Sequence, residues 1–379
     1  MVSQEVVASV RRHLALARRS ATASDIAEAL RSIGQIVSDD TVLAIQDGIA
    51  RDALGVGVLE TILATPGLTD LVVNGPDQIF IDCGDGLRQA EVRFPDEDAV
   101  RQLAVRLAAS VGRRLDDGSP FVDARLPSGV RFHAVLGGIA HPGTCLSLRV
   151  PVHTALSLDQ WQTAGSVDPT AGEILRRVIS TRTAFLICGG TGSGKTTLLA
   201  TLLSLVPDSQ RLVIVEDSRE LEPQHAHTVH LESRPVNGEG VGLITMTDLV
   251  RQALRMRPDR LVVGEVRGAE LRDLLQALNT GHEGGCGTIH ANSIEDLPAR
   301  LEALAGLGGL TVEATQSQVA AAIKVVIHVC RRGPLRHVAQ IGVIQRSPDG
   351  RLGTLVAWEG IGGTGHAGPG MDALTRMLS

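Results

Sequence analysis

The 379-residue chain has no tyrosine, and its aromatic residues amount to 2% of the total. Grooves that bind single-stranded nucleic acid are built from aromatic stacking platforms, and this chain has almost nothing to build one with. A net charge of −6 and a pI near 6.1 also count against a whole-chain nucleic-acid binder, which would be basic. No Cys-x-x-Cys pair occurs. The five cysteines (Cys83, Cys145, Cys188, Cys286, Cys330) are far apart and odd in number, so neither a zinc knuckle nor a disulfide framework is expected. They read as the reduced thiols of a cytosolic protein. No apolar run approaches the roughly 20 residues of a membrane-spanning helix. The N-terminus also lacks the unbroken apolar core of a secretory signal. The expected location is cytoplasmic, with any membrane contact peripheral and made through a partner. Hydrophobic residues at 43% and charged residues at 21% are ordinary for a globular chain, and the length suggests two or three domains.

Lysine is nearly absent too. Of the 36 basic residues only Lys195 and Lys324 are lysines; the rest are arginine. One of the two stands in Gly189-Gly190-Thr191-Gly192-Ser193-Gly194-Lys195-Thr196, followed by Thr197. The pattern G-x-x-x-x-G-K-T is a phosphate-binding loop. A compact ammonium fits inside a backbone loop wrapped round phosphate, whereas a planar guanidinium does not. Ahead of the loop, residues 184–188 are an apolar run of buried-strand type. Behind it, residues 195–206 are leucine-rich and helix-forming. That order aims loop amides and a helix N-terminus at one anion. Residues 189–197 are therefore candidates to bind ATP, with Thr196 placed to ligate Mg²⁺. A Gly-rich turn with a chance lysine is the alternative, and the flanks argue against it.

Residues 1–55 read as an N-terminal helical segment. Val6, Val7, Val10 and Leu14 fall at helical spacing with Arg11, Arg12, Arg18 and Arg19 nearby, and a second helix is expected from Ser24 as its N-cap. The first helix is either a membrane or partner helix or, the preferred reading, a docking helix with a solvated basic face. Residues 56–150 read as a small α+β domain. Strands are expected at 70–74, 79–82, 87–94, 122–126, 130–136 and 146–150, with a helix over 96–111. Residues 151–168 read as a linker. Residues 169–345 alternate strands and helices, which predicts a parallel sheet with helices on both faces. Residues 346–379 form a Gly-rich, partly flexible extension closing in a short helix.

In a parallel sheet, ligands bind outside the carboxyl ends of the strands. Three apolar strands end there in chemistry: 185–188 in the phosphate loop, 212–215 in Glu216-Asp217, and 261–263 in Gly264-Glu265. Phosphoryl transfer to water needs a carboxylate that orients the water. Glu265 is the first candidate. Glu216 is the second, or a partner of the metal through water. Asp217 and Glu220 are as well explained by solvation or capping. His282 and His290 flank the turn Gly284-Gly285. They read either as γ-phosphate sensors or as caps of a strand and a turn, with function preferred. His225, His227 and His230 lack a completing ligand, so no zinc is expected. Arg251, Arg255 and Arg257 either reach phosphate or pair with carboxylates.

Taken together, residues 185–292 resemble the type II/type IV secretion ATPases, RecA-like motors of secretion and pilus assembly. The resemblance is carried by the phosphate loop, the acidic stretch Val215-Glu216-Asp217, the run from Arg257 to Arg267 containing Gly264-Glu265, and Thr280-Gly281-His282 with Thr288-Ile289-His290-Ala291-Asn292. Within the family the chain is most similar to the CpaF-like branch of tight-adherence (Flp) pili, through Val73-Asn74-Gly75-Pro76, Arg113-Arg114-Leu115-Asp116 and residues 122–127. The resemblance implies a RecA-like P-loop NTPase domain preceded by a small PAS-like α+β domain. It implies catalysis by Glu265, Glu216, His290 and Lys195, and a homohexamer working with an inner-membrane platform protein. It also implies that Arg131 and Arg149 of the small domain reach ATP phosphates. Around Arg149 the family pattern Ile-Arg-basic-Phe is replaced by Leu148-Arg149-Val150. Rival readings are a RecA-like nucleic-acid translocase and a non-hydrolysing ATP-binding regulator.

Overall fold

The computed structural model describes residue 10 and residues 23–32, 41–42, 57–150, 156–234, 236, 241–333, 335–347, 350–361 and 364–379. The expected first helix, with Val6, Val7, Leu14 and its four arginines, lies outside the described residues. The second is helix α1 (Ala23–Ser32), which begins one residue before Ser24 and so contains it. The chain divides into two compact units, Met1–Val152 and His153–Ser379.

In the first unit, six strands form one antiparallel sheet. They are β1 (Asp70–Asn74), β2 (Ile79–Asp82), β3 (Arg88–Gln89), β4 (Phe121–Arg125), β5 (Arg131–Val135) and β6 (Cys145–Arg149), in the order β3-β2-β1-β6-β5-β4. Alternation decides which face is buried. Leu71, Val73, Phe132, Ala134, Leu146 and Leu148 all point into one core. Helix α2 (Glu97–Ser110) adds Val100, Leu103, Ala104 and Leu107 to it, at helical spacing. The Asp96 carboxylate caps that helix by accepting from the Ala99 amide at 2.8 Å. Between β2 and β3 the turn is fixed by its first acidic residue. The Asp82 carboxylate accepts from the Gly84 and Gly86 amides at 2.6 and 3.0 Å, and both glycines have positive φ.

The second unit is built on a nine-stranded sheet with the order β15-β14-β13-β12-β7-β11-β10-β8-β9. The six strands β12 (Val325–Arg332), β7 (Phe185–Cys188), β11 (Cys286–Ile289), β10 (Arg260–Val266), β8 (Leu212–Glu216) and β9 (Thr228–Glu232) run parallel, as the sequence predicts. Both faces are covered, which is why these strands read as unbroken apolar runs. One face buries Phe185, Ile187, Ile214 and Ile327 under helices α3 (Leu158–Thr163), α4 (Pro169–Ser180) and α5 (Lys195–Leu203). The other buries Leu186, Cys188, Val213 and Val326 under α6 (Met246–Ala253), α7 (Glu270–Leu278), α8 (Leu297–Leu307) and α9 (Val312–Ala322).

Two regions differ from expectation. Residues 156–168, read as linker, supply α3 and three buried core residues, Leu158, Trp161 and Val167. Beyond residue 345 the chain continues the sheet. Strands β13 (Leu335–Arg346), β14 (Leu352–Ile361) and β15 (Thr364–Ala367) extend it antiparallel from β12, and helix α10 (Met371–Met377) follows. The Gly-rich composition of the last hairpin has a packing cause. Trp358 is buried, and a Cβ on Gly365 would lie 2.1 Å from its ring. Gly365→Ala is expected to destabilise the protein by about 1–3 kcal/mol through overpacking, seen as a thermal midpoint lower by several degrees. An unchanged midpoint would show that the hairpin does not close on Trp358 in solution.

Candidate nucleotide site

The loop between β7 and α5 starts at the centre of the sheet. Three of its glycines have positive φ: Gly189 (+156°), Gly192 (+70°) and Gly194 (+100°). Gly189 also has no room for a side chain, since a Cβ there would lie 2.2 Å from the Val329 carbonyl oxygen on β12. Glycine is thus required by close backbone approach at the first position and by conformation at the later ones. Lys195 opens α5 with its side chain folded back over the loop. Its Nζ donates to the carbonyls of Gly189 at 3.0 Å and Gly190 at 2.7 Å. Burial pulls the ammonium pKa below its ordinary value, and the Glu265 carboxylate opposes that shift. The Ser193 hydroxyl is buried and has no hydrogen-bond partner among the described residues. Thr196 is half-buried in the first turn of α5. Loop amides, an ammonium, two hydroxyls and a helix N-terminus at one point form a donor set suited to a polyphosphate and its divalent ion.

Glu265 lies in β10, two strands from the loop strand. Its carboxylate has a donor on one side and an imidazole ring close by on the other. Arg267 Nη2 donates to Oε2, and His290 Nε2 stands 2.7 Å from Oε1, within ion-pair range but off the line of a hydrogen bond. Arg267 also lies 3.9 Å from Asp217. Its pKa is raised, first by the hydrogen bond to Glu265. His290 is pushed below its ordinary pKa by burial first and by the Lys195 charge second, which keeps the ring neutral at pH 7. Lys195, Glu265, Arg267 and His290 therefore form one electrostatic group at the carboxyl edge of the sheet.

A family model described as type II/IV secretion system protein matches residues 52–346. The chain belongs to that family. A putative conjugal transfer protein of Mycobacterium tuberculosis is 49% identical over 344 residues, covering 89% of this chain and 96% of the relative. The conjugal transfer protein TrbB of Rhizobium radiobacter is 31% identical over 284 residues, covering 72% and 83%. Among solved structures, the ATPase DotB of Yersinia pseudotuberculosis has a TM-score of 0.54 at 16% identity, covering 88% of this chain and 82% of that one, a likeness of fold.

In this secretion-family chain Glu216 is placed differently from expectation. It is buried at the end of β8, and its Oε1 accepts from the amides of Glu220 and Leu221, both at 2.9 Å. The side chain packs where a Cβ on Gly264 would be, 2.5 Å from Glu216 Cγ. The glutamate thus shapes the turn after β8, and glycine precedes Glu265 because Glu216 fills the space beside it. His230 Nδ1 approaches the other oxygen at 3.7 Å.

The two histidines are not brought together. His290 follows β11 at the carboxyl edge, beside Glu265. His282 lies in the turn before β11, at the amino edge, near Gly284 and Gly285, where Arg182 and Arg260 also lie. A four-residue strand, about 13 Å long, separates the two ends. The pairing read from the sequence placed both beside one turn. The strand that the turn starts carries them apart, so His282 does not join the loop cluster of this chain.

Arg251 takes the carboxylate reading, since its Nε donates to Asp273 at 2.8 Å. Among the described residues no three His, Cys, Asp or Glu side chains gather in a metal-binding group. Cys188 and Cys286 are buried thiols pushed up to about 12, inert as nucleophiles. In the first unit, Arg131 and Arg149 are direct cross-strand partners on β5 and β6, and Arg149 also faces Asp70. Arg267 has a sequence signal of its own, since it lies two residues after Glu265, hence on the same side of an extended chain.

Proposed function

We propose that this chain is an ATP-hydrolysing motor of a secretion or pilus-assembly system. It works as a homohexamer on the cytoplasmic side of the inner membrane with a platform protein. The observation that carries the reading is Glu265, held between Arg267 and His290 at the strand edge that also carries the phosphate loop. The loop residues Gly189–Thr196 bind the ATP phosphates, and Lys195 leaves its loop carbonyls for the β- and γ-phosphates. Thr196 is the residue that would hold Mg²⁺, which neutralises phosphate charge when bound. Glu265 orients and deprotonates the attacking water. Arg267 fixes one carboxylate oxygen so that the other points one way, and neutral His290 marks where the water is met. The family resemblance alone supports a role for Arg131 and Arg149 in binding ATP phosphates. The tight-adherence assignment rests on the sequence stretches around residues 73–76, 113–116 and 122–127.

The purified full chain is expected to release phosphate from ATP only with Mg²⁺, at a rate single-stranded DNA does not raise. Absence of turnover under every oligomeric condition would favour a non-hydrolysing regulator. DNA-stimulated turnover with a steep salt dependence would favour a translocase.

A further inference from the structure

The phosphate loop is held from outside by a residue nothing above assigns. Arg336 lies near the start of β13, next to the β12–β13 turn and directly across from Arg331. Its Nε donates to the Gly192 carbonyl at 3.1 Å. The peptide unit is planar, so pinning that carbonyl fixes the orientation of the Gly192–Ser193 peptide. The amide of the same peptide makes only a long contact, 3.4 Å, to the Gly190 carbonyl. The Arg336 bond is thus the shorter of the two that set this plane. The arginine stem does a second job. A Cβ on Gly194 would lie 3.2 Å from Arg336 Cδ and 3.5 Å from the Trp161 ring. Trp161 is itself anchored to the loop helix, its Nε1 donating to Thr201 Oγ1 at 3.0 Å. Arg336 and Trp161 form a wall behind the residue that precedes Lys195.

We infer that Arg336 is a positioning residue of the nucleotide site: it holds the phosphate loop open from its outer side through the Gly192 carbonyl. The inference rests on reading residues 189–196 as that site. A loop whose amides are already oriented loses less freedom on binding phosphate, so the effect appears in affinity. It is the same for ATP and ADP, because the loop cradles the phosphates they share. The water-orienting group on β10 is untouched, so turnover at saturation is preserved.

The test uses the full chain, a fluorescent ADP for affinity and phosphate release for kinetics. Arg336→Ala is expected to raise the ADP Kd and the ATP KM together by roughly tenfold, with kcat within about twofold. Arg336→Lys, which keeps a donor of similar reach, is expected to recover most of the affinity. Arg336→Met keeps the stem against Gly194 without the donor, and serves should the alanine variant not fold; the same weakening is expected. Wild-type Kd and KM in the methionine variant, or a loss confined to kcat, overturns the inference. Lys195→Ala is measured beside them. If it too binds ADP like the wild type, the loop reading itself has failed. If it loses ADP while Arg336→Met does not, only the role of Arg336 is lost.

Discussion

Glu265→Gln is expected to lower ATP turnover by roughly 10²–10⁴-fold while leaving nucleotide affinity within a few-fold of the wild type. The substitution keeps the shape of the side chain and one oxygen as acceptor for Arg267, and removes the negative charge and the basicity. Arg267 and His290 mark the site where that basicity is spent, since one donor fixes Oε2 and the ring stands 2.7 Å from Oε1. The measurement is phosphate release at saturating ATP, paired with the Kd for a fluorescent nucleotide. Near wild-type turnover would remove Glu265 from the water-orienting role and hand it to another carboxylate. Glu216 is a poor second, because one of its oxygens already takes two backbone amides.

Lys195→Arg is expected to abolish nucleotide binding at ordinary concentrations, a loss on the order of 10²-fold or more, even though charge is conserved. Lys195 is 7% exposed, and its ammonium sits between two loop carbonyls 2.7 and 3.0 Å away. A guanidinium is wider and planar and does not fit the space that the compact ammonium fills. On the Gly189 side there is little room, since a Cβ there would lie 2.2 Å from the Val329 carbonyl oxygen. The change is read as the Kd for a fluorescent ADP, with thermal unfolding as a check that the fold survives. Full ATP hydrolysis by Lys195→Arg would contradict the reason for a lysine in so arginine-rich a chain.

Much of the site was legible in the sequence because its parts are local. The phosphate loop is one stretch of eight residues, and its strand and helix flank it directly. Glu265 stands out in the sequence because it follows an apolar run, and a parallel topology places strand ends together. Other parts were legible only in outline. The acidic end of β8 is visible in the sequence, but the surroundings of its carboxylate are not. Whether Glu216 faces a ligand or its own turn depends on the amides of Glu220 and Leu221 and on the space left by Gly264. That His282 and His290 stand at opposite edges of the sheet is not visible in the sequence, because eight positions of separation conceal the length of β11.

The C-terminal third shows the same division. Residues 346–379 are rich in glycine, which reads as a loose extension. In the structure they add strands β14 and β15 to the edge of the sheet, and Trp358 seals the core beneath them.

By itself, then, the sequence determined the chemistry: an alternating α/β unit, a phosphate loop with a lysine where arginine is the habit, and a glutamate at a strand end. Tertiary structure alone decided who stands beside whom. Arg336 is 144 positions from Gly192 in the chain and reaches its carbonyl only because β12 pairs with both β7 and β13. No local pattern encodes such a contact. A backbone carbonyl offers no side-chain signature, and its partner is chosen by strand order, which is set by burial over the whole sheet.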